Sequence, residues 1–159
     1  MRADTVSEST GHDDAIAQRR EAQLHLDDAA VLDRAVQTEC AAVPAAERAQ
    51  CNFGTRRVLS VEDLPDGARI RFAAGGPPAV ATLPRVRCAH AYADQTGRNT
   101  MPECVVAIRD LSVTAADDGG AVLLTLTTTD RTSVVELRRR AHELTRPAAP
   151  AAPAPTAGR

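Results

Sequence analysis

LSVTAADDGGAVLLTLTTTDRTSVVELRRRAHEL, residues 111–144, reads in one run as strand, turn, strand and helix. Val122, Leu124 and Leu126 fall at every second position, a period that places them on one face of a strand. Asp117-Asp118-Gly119-Gly120 before them has turn chemistry, because Asp and Gly tolerate the backbone angles of a tight reversal. A hairpin is therefore predicted, with one arm in Cys104–Val113 and the other over Ala121–Thr128. Beyond it, Asp130 is a natural N-cap, and Val134, Leu137, Ala141 and Leu144 recur at helical spacing. Glu136 and Arg140, four positions apart, suit the wet face of that helix.

The same grammar occurs upstream. Leu59 and Val61 alternate with Ser60 and Glu62, and Ala68, Ile70 and Phe72 with Arg69 and Arg71. Leu64-Pro65-Asp66-Gly67 between them predicts a turn in which Pro65 presets φ and Asp66-Gly67 accepts positive φ. A helix over about Pro78–Tyr92 follows, with Val80, Leu83 and Val86 as its apolar positions. Pro84 predicts a kink, or a later start at Thr82 with Pro84 in the first turn.

Leu59-Ser60-Val61 returns as Leu111-Ser112-Val113, and Val80 and Leu83 align with Val134 and Leu137 at an offset of 54. Ala89-His90 returns as Ala141-His142 at an offset of 52. An α+β fold follows: two strand–strand–helix units, a four-stranded antiparallel sheet, and helices on one face. The halves run from about 51 to 98 and from 99 to 146. The phrases VEDLPDGARIRF and ADDGGAVLLTLTTTDRTSVVELRRRAHEL resemble a group of small bacterial proteins with heavy-metal-binding-like segments. The resemblance implies metal handling, although this chain has none of the group's Met/His-rich runs.

Residues 13–50 form an N-terminal helical segment, read from Ile16, Leu24, Val31, Leu32, Ala35 and Val36. Asp27-Asp28 allows a second N-cap, so one or two helices fit, closed ahead of Pro44. Residues 1–12 and the Pro/Ala tail 147–159 have the composition of disordered chain. Met1–Gln23 contains no apolar run of export-signal type, which makes the cytoplasm the default compartment. A truncated or mis-started N-terminus would hide an export signal, and in that case the periplasm stays open.

All 19 basic residues are Arg, so Schiff-base chemistry and a P-loop lysine are excluded. A net charge of −2 gives no field favouring nucleic acid or an anionic membrane. Aromatic residues make up only 2% of the chain. A core so poor in rings gains from a crosslink, a metal or a partner.

The four cysteines are the candidate chemistry. Cys88, His90 and Cys104 are the first choice of ligands for zinc or copper, with Cys40 and Cys51 behind them. All four are equally candidates for disulfides. Their order, a helix Cys followed by a strand Cys in each half, predicts local pairs, Cys40 with Cys51 and Cys88 with Cys104. Arg138-Arg139-Arg140 reads as a solvated helix face and His142 as a surface histidine. No nucleophile–base motif is present, so a non-enzyme is expected. Two readings stay open: a binding module using its cysteines for a soft metal or thiol–disulfide change, and a structural or protein-interaction scaffold with inert or bridged cysteines.

Overall fold

The computed structural model describes residues 7–51 and 57–146, with side chains from Asp13 onward. Four strands make one antiparallel sheet: β1 (Val58–Leu64), β2 (Gly67–Phe72), β3 (Leu111–Asp118) and β4 (Ala121–Thr128), in spatial order β1-β2-β4-β3. Helices α2 (Ala79–Thr96) and α3 (Arg131–Glu143) cover one face. Helix α1 (Ser7–Glu39) packs on α2. The expected α+β architecture, with both hairpins in one sheet, is the one observed.

The two hairpins meet where Ile70 pairs with Leu124, and both side chains are fully buried. The registers repeat at an offset of 54, with Leu64 paired to Gly67 and Asp118 paired to Ala121. Ala68, Ile70, Phe72, Val113, Val122, Leu124 and Leu126 face the helices. The opposite face is polar, with Glu62, Arg69, Thr125 and Thr114 forming one row across the sheet. Alternation with a single buried face is what one-sided helix cover produces.

The two turns use glycine for different reasons. Gly119 and Gly120 have φ of 58° and 86°, the positive values that a two-residue hairpin turn with the strands' twist demands. Gly67 is not in the positive-φ region expected for it. A Cβ there would lie 1.9 Å from the Leu126 carbonyl oxygen, so Gly67 is required by the close approach of β2 to β4.

Several expectations are corrected. Helix α1 is a single helix that begins at Ser7, inside the stretch expected to be disordered; residues 1–6 and 147–159 lie outside the described residues. Helix α2 starts at Ala79 and runs through Pro84, with no later start. Pro84 leaves the Val80 carbonyl without its helical donor, and Val80 is 78% exposed, where water can serve it. That exposure also breaks the alignment of Val80 with the buried Val134. The buried stripe of α2 is Thr82, Val86, Ala89 and Ala93, with Cys88 and Ala91 facing α1. A helix sandwiched between a sheet and another helix needs small side chains on both faces, so its apolar pattern is weak.

The largest correction concerns residues 104–110, expected to begin a strand. They form irregular chain, and β3 starts only at Leu111. Cys104 through Ile108 are nonetheless buried to 3% exposure or less. Truncating a side chain on the buried sheet face should cost about 2–5 kcal/mol, as large-to-small core changes do. In urea denaturation Phe72→Ala and Leu126→Ala should fall in that range, while Thr114→Ala on the open face stays within about 0.5 kcal/mol. Equal losses at all three positions would reverse the assignment of the faces.

Candidate functional site

The four cysteines form two disulfides, Cys40–Cys88 and Cys51–Cys104. The expected local pairs are overturned, and the physical reason is the placement of α1. Its C-terminal turn packs Val36, Cys40 and Val43 against Cys88 and Ala91, which brings Cys40 to the middle of α2 rather than to the chain that follows it. The Cα atoms of the Cys40–Cys88 pair are 4.6 Å apart and those of Cys51–Cys104 5.5 Å, both within bridging range. The first bond joins the end of α1 to α2, and the second joins the chain ahead of β1 to the buried segment ahead of β3. Cys40 and Cys88 are buried to 1% exposure or less, whereas Cys51 is only half-buried.

The metal ligand set is not assembled. Cys88 and Cys104 sit in different disulfides, and a bridged sulfur lacks the thiolate charge that binds zinc or copper. Among the described residues no group of three or more His, Cys, Asp or Glu side chains converges. His90 has a different partner. Its Nδ1 lies 2.9 Å from the Val106 carbonyl oxygen, and a carbonyl only accepts, so Nδ1 carries the proton. Nε2 lies 3.6 Å from an Asp94 carboxylate oxygen, and the other oxygen of Asp94 meets Arg98 at 2.6 Å.

The arginine run is mostly committed to backbone. Arg138 donates to the carbonyls of Leu64, Pro65 and Gly67, clasping the β1–β2 turn. Arg140 donates to the Cys104 and Ala107 carbonyls at 2.8 and 3.3 Å. Only Arg139 keeps to the wet face, between Glu136 and Glu143. The expectation of a solvated arginine face therefore holds for Arg139 and is corrected for its neighbours. His142 is half-exposed as expected, with Nε2 2.9 Å from Asp63 of β1. Sequence reasoning missed the service roles of Arg138, Arg140, His90 and Thr128, whose hydroxyl donates to the Arg109 carbonyl at 2.7 Å. No motif announces a side chain that serves a distant carbonyl.

Asp130 caps α3 through Thr132 and Ser133, and hydrogen bonds from Ser133 and then Thr132 hold its carboxyl below the usual range. Asp117 does for α2 what no residue of α2 does, accepting from the Ala79 amide at 2.9 Å across the fold. Both places satisfy amides that a helix start leaves open.

The two bridges close spans of 48 and 53 residues, for which loop entropy gives about 4 kcal/mol apiece. Because the spans overlap, the pair contributes less than the sum. Replacing Cys40 and Cys88 together by Ala should lower the unfolding free energy by several kcal/mol, and peptide mapping without reductant should find 40–88 and 51–104. Linkages 40–51 and 88–104 would refute the arrangement. Glu136 gives a separate readout. Hydrogen bonds from Arg139, then Arg140, pull its carboxyl from 4.5 to about 2. A depressed carboxylate contributes stability above about pH 4.5 that is lost as the pH falls toward 2. Urea midpoints compared at the two ends of that window should fall less in Glu136→Gln than in the parent chain. An unchanged acid dependence would detach Glu136 from acid stability.

No protein-family model, curated protein or solved structure matches the chain.

Proposed function

We propose that the chain is a non-catalytic, disulfide-stapled interaction domain of an oxidising compartment, presenting α1 to a protein partner. The single observation that carries this reading is the contrast within α1. Its base is riveted to α2 by the buried Cys40–Cys88 bond. Its outer part is bare: Ile16, Leu24, Leu26 and Val31 are 52–64% exposed. A helix draws most of its stability from packing, and the other described residues supply none to Asp14–Val31 beyond local contacts. A partner laid along the arm supplies it.

The partner's chemistry follows from charge. Between Asp13 and Glu39 seven acidic residues stand against three Arg, so a complementary surface is basic with an apolar centre. Oxidised bridges of native span persist where thiols are not continually reduced, which favours an extracytoplasmic site of action over the cytoplasmic default. That no helix among the described residues is long and apolar enough to cross a membrane fits a chain displayed in an aqueous space. The sheet registers at an offset of 54 support an internal duplication as the origin of the scaffold.

A photocrosslinking residue at position 24, introduced in the native host, tests the reading. It should trap one heterologous protein, and trapping should fall severalfold in raised salt and in the double variant Asp27→Arg, Asp28→Arg. In intact cells the four cysteines should resist alkylation until reductant is added. Trapping of a second copy of the chain, trapping indifferent to those charges, or free thiols in the cell would overturn the proposal.

A further inference from the structure

At the base of α1 lies a cleft of about 450 Å³, bounded by α1, α2 and the start of β3. That volume is within the range of small-ligand sites. Leu32, Leu111 and Val113 give it apolar walls, and Glu39, Arg87 and Ser112 supply polar groups.

Two properties of the cleft are unused by folding. None of the ion pairs among the described residues includes Arg87 or Glu39. An anion and a cation thus line one cleft without neutralising each other, whereas His90 and Asp94 beside them are engaged by Val106 and Arg98. In addition, β3 is an edge strand that pairs only with β4. Its outer backbone groups have no strand neighbour, and an edge in that condition is a template for an added extended chain.

We infer that the cleft binds a short apolar peptide, about two or three residues long, by its two ends. Arg87 takes the terminal carboxylate, since a guanidinium fork matches a carboxylate in two parallel hydrogen bonds. Glu39 takes the terminal ammonium. The edge of β3 pairs with the peptide amide, and Leu32 and Leu111 receive its side chains. A single amino acid has both charges but no amide to pair with a strand. An internal segment of a longer chain has the amides but neither terminal charge. The site requires both together, and it is independent of what the exposed arm of α1 contacts.

The test is a titration of the full, disulfide-intact chain followed by backbone amide NMR. Three probes are used: the dipeptide Leu-Leu, its acetylated and amidated form, and free leucine. Leu-Leu should shift the amides of residues 32–39, 87–94 and 111–113 at millimolar or lower concentration. The blocked dipeptide and free leucine should each bind about tenfold more weakly or not at all, a factor of ten being about 1.4 kcal/mol. Arg87→Gln and Glu39→Gln should each weaken Leu-Leu about tenfold, and Arg139→Gln on α3 should leave it unchanged. Absence of shifts with Leu-Leu, equal binding of the blocked form, or equal binding of free leucine would each overturn the inference. The comparison of probes needs no variant, so it decides the matter even if one of the substitutions unfolds the chain.

Discussion

Cys104 to Ile108 runs through the interior as irregular chain, where the Cys104 carbonyl accepts from the Ala107 amide at 3.0 Å and the Val106 and Ala107 carbonyls take donors brought from elsewhere. A buried carbonyl left unpaired costs about 1–3 kcal/mol. The protein meets that constraint with side chains from two helices and a strand. Arg140 of α3 reaches the Cys104 and Ala107 carbonyls, His90 of α2 the Val106 carbonyl, and Thr128 of β4 the Arg109 carbonyl. Because these donors come from different elements, burying one loop fixes where both sheet-covering helices stand. Asp110, with φ of 52°, then turns the chain into β3, in a left-handed conformation that Asp tolerates better than most residues.

The disulfides act on the same seam. Cys104 opens the buried loop and is tied to Cys51, just ahead of the segment leading to β1. Cys88 lies two residues before His90 and is tied to the base of α1. The core has few rings, so cohesion comes from small side chains packed closely and from bonds that shrink the unfolded ensemble. Cross-pairing suits this better than local pairing would, since a long span removes more freedom from the unfolded chain and joins elements distant in sequence. The same choice leaves no thiolate at the positions whose spacing suggested a metal.

What was legible in the sequence is what depends on local pattern. Alternation at Ala68, Ile70 and Phe72, and at Val122, Leu124 and Leu126, located the buried face. Asp130 with Val134, Leu137 and Ala141 located α3. The turn at Gly119-Gly120 followed from backbone stereochemistry. The errors share a cause, which is that tertiary contact overrode local appearance. Val105, Val106 and Ile108 look like a strand because they are apolar, but burial by loop packing asks for the same residues. Helix α2 hides its faces because a sandwiched helix is built from Ala, Cys and Thr, which a search for large apolar side chains passes over. Disulfide partners are set by which helix lies on which, and spacing does not contain that.

The two hairpins share a register at the 54-residue offset from Ser60 onward, past a bulge between Val58 and Ser60, but their helical cover is unequal, and the cleft arises from that inequality. Helix α3 has an outer face open to water, where Val135 is 72% exposed. Helix α2 has α1 bonded to its outer face by Cys40–Cys88, so one edge of the sheet gains a second wall that the other edge lacks. The cleft lies where this second wall stands beside the edge strand β3. Had the cysteines paired locally, α1 would have no covalent tie to α2, and a helix with so few buried side chains would have little to hold it over that edge. The Cys40–Cys88 bond thus ties α1 beside that edge and at the same time engages two of the cysteines considered as metal ligands, two consequences of one packing choice.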